Sequence, residues 1–192
     1  MLVYSNFKEY GGLKSLAKIL EAQGYLPYDE YGEGSKRYGV WSGDVKSEIR
    51  EEMKAVFNNP NNIQGRKLKV MLLSPAAKEG VSFKNVRQVH ILEPYWNNTR
   101  LEQVMGRGIR YCSHAMLPPE DRNVKVYIYL ATHYREDESV DEFIASLAQR
   151  KNKLAEEFNQ AMREASVDCS LFYHGNIYRE DKNTDKYYEC DI

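Results

Sequence analysis

The sequence predicts an α/β domain, a parallel sheet of roughly five or six strands flanked by helices, with a helical appendage at its C-terminal side. Three observations predict it. Short apolar runs that suit buried strands alternate with amphipathic segments of helix length. Those runs are separated by enough chain for the crossovers that parallel pairing needs. From Ser139 the texture changes to a long, strongly charged segment carrying a single apolar stripe.

The elements follow in order. Residues 2–5 form an apolar strand, and Gly11-Gly12 leads into a helix in which Leu13, Leu16, Ile19 and Leu20 recur at helical spacing until Gly24 stops it. Residues 28–36, rich in Gly and acidic side chains, read as a loop. Residues 38–41 form a short strand, and Ser42-Gly43-Asp44 offers a helix start. The helix that follows places Val45, Ile49, Met53, Val56 and Phe57 on one face and ends at Asn58-Asn59-Pro60. Residues 68–73 are another strand, 74–82 a loop of small residues, 88–92 a strand, 99–109 a helix and 124–130 a further strand. Beyond Ser139, Val140, Phe143, Ile144, Leu147, Leu154, Phe158 and Met162 make one stripe. It reads as a helix docked on the sheet domain, because Lys151 interrupts any heptad seam. The tail from Ser170, rich in Tyr, Asp and Asn, reads as partly folded or as packing against parts outside this chain. The expected division is a sheet domain over 1–135 and a helix with its tail over 136–192, packing on or beside it.

Composition sets limits. With 192 residues, 42% hydrophobic and 29% charged, the chain can bury a sizeable core. A net charge of −1 gives no global basic field, so contact with phosphate must come from locally placed Lys and Arg. Cys112, Cys169 and Cys190 are scattered without metal-ligand spacing, which predicts no metal centre and reduced thiols in a cytoplasmic or nuclear protein that is not secreted. No apolar run approaches ~18 residues, so no membrane span is expected. The start, Met1-Leu2-Val3-Tyr4, lacks the layout of a signal peptide, and its opening on a strand suggests a chain that begins at a domain boundary.

The segment that carries chemistry is Gln103-Val104-Met105-Gly106-Arg107-Gly108-Ile109-Arg110. On a helix, two arginines three apart project from nearly the same face. A phosphoryl-transfer site uses such a pair, because planar guanidinium groups neutralise charge on the γ-phosphate oxygens. Gly106 and Gly108 cost up to ~1 kcal/mol each inside a helix, which makes sense where backbone packs closely or moves. His90, inside an apolar strand, reads as a core residue, and His114, His133 and His174 share no ligand spacing. Tyr95 and Trp96 have the faces to stack on a base, but an aromatic after a strand is more often packing.

The segment fits Q-x-x-G-R-x-x-R and resembles motif VI of superfamily 2 helicases and translocases. Around it, residues 2–7 resemble motif IV, 38–43 the strand and Ser-Gly step of motif IVa, 74–83 motif V and 92–97 the strand end before motif VI. The resemblance covers residues 1–132 and implies a RecA-like lobe, the second of two motor domains. Within the superfamily, Lys78-Glu79-Gly80-Val81-Ser82 and Glu93-Pro94-Tyr95-Trp96-Asn97 are most similar to helicase-like ATPases of large cytoplasmic DNA viruses of poxvirus, asfarvirus and giant-virus type. A viral factory or virion would then be the place of action.

The resemblance implies roles residue by residue. Arg110 would be the arginine finger, Arg107 would contact phosphate or hold the interdomain network, and Gln103 would link nucleotide state to domain closure. Gly80, Ser82 and Gly106 would lie at the nucleotide cleft. Ser5, Asn6, Ser42, Gly43 and Ser74 would approach a DNA or RNA backbone; taken singly, each serine is equally well explained by turn and cap chemistry. The cofactor would be ATP with Mg²⁺, held mainly by the first motor domain of the same parent. No G-x-x-x-x-G-K-S/T occurs, and no acidic box follows a strand, so the chain alone is expected not to hydrolyse ATP. The alternative is a degenerate lobe serving as a non-catalytic interaction module in a viral transcription or packaging complex.

Overall fold

The computed structural model describes residues 1–75, 81–135, 137–167 and 171. The chain divides into two compact units, one spanning Met1–Ala145 and one starting at Ser146. In chain order the elements are β1 (Leu2–Tyr4), α1 (Leu13–Ala22), β2 (Leu26–Pro27), α2 (Tyr28–Tyr31), β3 (Arg37–Trp41), α3 (Ser47–Phe57), β4 (Val70–Leu73), β5 (Gln88–Ile91), α4 (Asn98–Met105), β6 (Lys125–Ile128) and α5 (Val140–Glu164).

The six strands of the first unit form one all-parallel sheet in the order β2-β3-β4-β1-β5-β6. The side-chain period of two sorts the central strands onto two cores. Leu2, Tyr4, Met71, Leu73, Val89 and Ile91 pack with Met53 and Phe57 of α3 and Leu101 and Val104 of α4. Val3, Val70 and Leu72 face the other way, against Leu13, Leu16 and Leu20 of α1. Burial of each such side chain is worth about 1.5–3 kcal/mol, so the two faces together fix the register. The chain leaves β1 by way of α1 towards β2, then works back on the opposite face through β3 and β4 and crosses to β5. The connections leaving the neighbouring strands β1 and β4 therefore run on opposite faces, and in open α/β sheets the crevice between two such strands is where ligands bind.

Two contacts position the loops above that crevice. A Cβ on Gly12 would fall 1.9 Å from the Phe7 carbonyl oxygen, so only glycine lets the loop after β1 fold back onto the start of α1. Phe83, fully buried, meets Trp41 and Phe57 edge-on at 5.7 and 5.4 Å, which anchors the segment that follows residues 76–80.

The structure differs from the expectations at several elements. The stretch expected as a loop contains α2, because Tyr28 is buried and its hydroxyl donates to Glu52 at 2.8 Å. Beside it, β2 adds a two-residue strand to the edge of the sheet. The third helix begins at Ser47 rather than at Ser42–Asp44, and the fourth ends at Met105 rather than Ile109. In the second unit, Leu154, Phe158 and Met162 of the α5 stripe are exposed and Ala148 is buried.

Candidate functional site

The C-terminal edge of the sheet is built from the residues that directly follow the strands. The last residues of β3, β4 and β1 stand in register, Trp41 beside Leu73 and Leu73 beside Tyr4. The ladder continues one step further: Ser74 N–H donates to Trp41 O at 3.1 Å, Ser5 N–H to Leu73 O at 3.2 Å and Leu92 N–H to Tyr4 O at 3.0 Å. Ser42, Ser74 and Ser5 therefore form a row, and all three are buried. The Ser5 hydroxyl closes a turn with Phe7, donating to its carbonyl at 3.1 Å. Gly43 lies exposed in the turn after Ser42.

Asn6 is held from two sides. Its side-chain oxygen accepts from the Tyr4 hydroxyl at 2.8 Å, and its backbone N–H donates to the Glu93 carboxylate. Burial pushes the Glu93 carboxyl above its usual range, against the lowering effect of the Asn6 N–H. From α4, Arg100 donates to the hydroxyls of Tyr4 at 3.1 Å and Tyr95 at 2.7 Å, and its guanidinium lies 4.3 Å from the centre of the Tyr95 ring. Arg100, Gln103 and Arg107 line a small pocket with Tyr4, Leu73 and Ser74. The pocket thus joins the helix and the turn after it to the ends of β1 and β4, at the crevice between those two strands.

Asn97 caps α4, its side chain accepting from Thr99 N–H at 2.9 Å. After Met105 the helix tightens into a turn: Arg107 N–H reaches Val104 O and Gly108 N–H reaches Met105 O, at 3.1 and 3.0 Å. Arg107 and Arg110 therefore lie beyond the helix, not on it. A Cβ on Gly108 would come within 3.1 Å of Val86 Cγ1 and 3.2 Å of Leu2 Cδ1, so glycine lets this turn settle against the sheet. Gly106 still makes a helical bond, its N–H donating to Glu102 O at 2.8 Å.

Both arginines nonetheless converge on one stretch of chain. Arg107 Nη1 donates to Val81 O at 3.5 Å, and Arg110 Nη1 to the Ser82 hydroxyl oxygen at 2.5 Å. Arg110 Nε also donates to Gly106 O at 3.2 Å, so its side chain folds back over its own turn. The stretch is braced along its length. Phe83 N–H donates to Arg107 O at 2.9 Å, while the Asn58 amide donates to Ser82 O at 3.0 Å and accepts from Lys84 N–H at 2.7 Å.

Of the residues singled out in the sequence, the structure groups Gln103, Arg107 and Ser74 about the pocket, and Gly106, Arg110 and Ser82 about the turn. Gly80 lies outside the described residues. Arg100 and Asn58 join the site without having been expected there; Asn58 reads in sequence only as a helix stop. His90 sits on β5, its Nδ1 2.8 Å from the Tyr129 hydroxyl and its ring stacked on Tyr127, and burial lowers its pKa. Among the described residues no group of three or more His, Cys, Asp and Glu could hold a metal ion, and no helix is long and apolar enough to cross a membrane.

A parallel sheet in this order, with opposite-face connections leaving β1 and β4 and an arginine-bearing turn after α4, defines a RecA-like fold. The chain belongs to the helicase conserved C-terminal domain family, which it matches over residues 1–112. It is 48% identical over 178 residues to a candidate ATP-dependent RNA helicase of Acanthamoeba polyphaga mimivirus, an alignment covering 93% of this chain and 31% of that protein. It is 31% identical to a candidate helicase of Invertebrate iridescent virus 3, over 88% of this chain and 18% of that protein. A termination factor NPH-I homolog of African swine fever virus is 29% identical, over 89% of this chain and 31% of its own length. The resemblance to viral helicase-like ATPases read from the motifs is shown by these relatives, of whose length this chain spans about a third or less. A solved structure, the C-terminal part of the Fun30 ATPase domain, overlaps at a TM-score of 0.49 and 16% identity over 77% of this chain and 38% of that one; the overlap is too loose to add to the fold, which rests on the strand order.

Proposed function

We propose that this chain is the second motor lobe of an ATP-dependent helicase or translocase, and that Arg110 is the arginine finger it contributes. The observation that carries the reading is the convergence of the Arg107 and Arg110 guanidinium groups on Val81–Ser82, with Arg107 also lining the crevice between β1 and β4. A planar, permanently charged fork suits the equatorial oxygens of a transferring phosphoryl group. In the nucleotide-bound parent, Arg110 exchanges its Ser82 contact for a γ-phosphate oxygen, and Arg107 and Gln103 carry that contact to lobe closure. Gly80, Ser82 and Gly106 border the nucleotide. Mg²⁺ and the β- and γ-phosphates are held chiefly by the other lobe, since this sequence has neither a phosphate-binding lysine loop nor an acidic box.

The nucleic-acid track runs along the row after β3, β4 and β1. Its serine side chains are buried and the N–H groups of Ser5, Asn6 and Ser74 are already bonded within the sheet edge, so the exposed Gly43 turn and the Asn6 side chain are the parts that approach a phosphate backbone. Such contacts read no bases and suit movement along a strand. Relatives named as RNA helicases and as a termination factor homolog support nucleic acid as the partner, and a role beside viral transcription. The test is an ATPase assay on this chain alone and joined to its first motor lobe, with and without DNA or RNA. Turnover should appear only in the joined protein and rise with nucleic acid. Nucleic-acid-stimulated turnover by the chain alone, or none in the joined protein, would contradict the proposal.

A further inference from the structure

Two uncommon backbone conformations flank the stretch after Arg110, one at Cys112 and one at Asn85, whose N–H bonds that stretch at Ser113. Cys112 has φ 59° and Asn85 φ 56°, in the left-handed region that costs a residue with a side chain about 1 kcal/mol or more. Conformations of this kind persist where the surroundings over-determine them. Here Ser113 N–H donates to Arg110 O at 3.0 Å, and Asn85 N–H donates to Ser113 O at 3.0 Å. The side chains add a second path. Arg110 N–H donates to Ser113 Oγ at 3.2 Å, Ser113 Oγ lies 2.8 Å from His114 Nδ1, and His114 Nε2 lies 2.6 Å from Val86 O.

The direction of these bonds follows from their ends. The Val86 carbonyl can only accept, so His114 Nε2 carries the proton and donates. In the neutral ring Nδ1 is then the acceptor, and the Ser113 hydroxyl donates to it. That leaves the Ser113 oxygen lone pair to accept from Arg110 N–H. Every donor meets one acceptor from the Arg110 backbone to Val86. At the other end of the same residue, Arg110 Nη1 reaches Ser82, four residues before Val86 on the same stretch. The two paths close a ring that holds Arg110 at both its backbone and its guanidinium group. Ser113 and Val86 are buried, so water has little access to replace the inner bonds.

We infer that Ser113 and His114 are positioning residues: they touch no nucleotide, and they set where Arg110 stands by tying its backbone to Val86. The inference rests on the reading of Arg110 as the finger. It is tested in the full parent enzyme by steady-state ATPase kinetics of Ser113→Ala, His114→Ala, His114→Gln, Arg110→Ala and the double variant Arg110→Ala/Ser113→Ala. A displacement of the finger on the order of 1 Å should lower kcat by roughly 10- to 100-fold, with KM for ATP moved less than about threefold. His114→Gln, whose amide N–H can still reach the Val86 carbonyl, should recover part of the loss. Because Ser113 acts through Arg110, Ser113→Ala should cost nothing further once Arg110 is alanine. An additive loss in the double variant, or near-normal kcat in Ser113→Ala beside a strongly impaired Arg110→Ala, overturns the positioning role alone. Near-normal kcat in Arg110→Ala overturns the finger reading itself and the relay with it. Ser113→Ala removes a single oxygen, so it decides the matter even where His114→Ala does not fold.

Discussion

Replacing Asn62 by alanine should destabilise the sheet unit by about 3 kcal/mol, a large effect for one small polar side chain. Asn62 closes the turn Pro60–Asn62 between α3 and β4 and is 5% exposed. Its Nδ2 donates to Phe57 O at 3.1 Å and Leu68 O at 3.0 Å, and its Oδ1 accepts from Lys67 N–H at 2.9 Å and Leu68 N–H at 3.1 Å. Both donors and both lone pairs are used, so alanine removes the whole set at once. A hydrogen bond contributes about 0.5–1.5 kcal/mol net, and a buried group left unpaired costs about 1–3 kcal/mol. Leu68 is fully buried, so its N–H carries the largest share, while water can replace part of the bond to the half-buried Lys67. For a chain of this size each kcal/mol moves Tm by about 2–4 °C, so the melt should fall by roughly 10 °C. Urea titration and thermal melting beside the wild-type chain give the number. A loss below about 1 kcal/mol with an unchanged m-value would refute the reasoning. The effect reaches the site, because the grip on Phe57 O sets where Asn58 offers its amide to Ser82 and Lys84.

Three further outcomes are expected. Gly108→Ala places a methyl group within 3.1–3.2 Å of the buried Val86 and Leu2 side chains and should cost about 1–2 kcal/mol, read as a lower urea midpoint; an unchanged midpoint would mean the turn can retreat from the sheet. The raised pKa of Glu93 means the folded state holds its proton more tightly than the unfolded state, so this contribution to stability is present below the ordinary value of 4.5 and lost as pH rises through the folded value. Wild type should therefore gain on Glu93→Gln as the pH is lowered from neutrality to below 4.5, and a difference that does not move with pH would count against that burial effect. The chain alone should bind single- or double-stranded nucleic acid weakly and with strong salt dependence, since its net charge is −1; tight binding that survives high salt, followed by fluorescence anisotropy, would reveal a stacking or clamp site instead.

Much of the frame was legible because parallel strands buried on both faces leave continuous apolar runs. Residues 2–4, 70–73 and 88–91 fall inside expected strands for that reason. The edge was not legible: β2 is two residues long and contains Pro27, too short for any period to show. Residue type and spacing single out the arginine pair, but the helix they suggest for it does not reach it. In sequence Gly106 and Gly108 look costly within a helix; the helix stops at Met105, so the arginines meet through a tight turn that packs on Val86 and Leu2. Their meeting with Val81 and Ser82 is a tertiary event, carried by a bond between Phe83 and Arg107 that no local pattern announces. The same holds for the edge serines. Their types and positions were plain, but their burial follows from the register of β3, β4 and β1, which only the packed sheet defines.

The measurement that bears most directly on the account is the steady-state kinetics of Arg110→Ala in the full parent enzyme, with nucleic acid saturating. A guanidinium that meets the γ-phosphate acts on the transition state more than on bound ATP. The account therefore predicts a fall in kcat of roughly 10³-fold or more with far less change in ATP affinity, and little rescue by Arg110→Lys, whose ammonium lacks the planar fork. Turnover within about twofold of wild type, in a variant whose stability moves by no more than about 0.5 kcal/mol, would mark Arg110 as an ordinary surface residue and contradict the central claim.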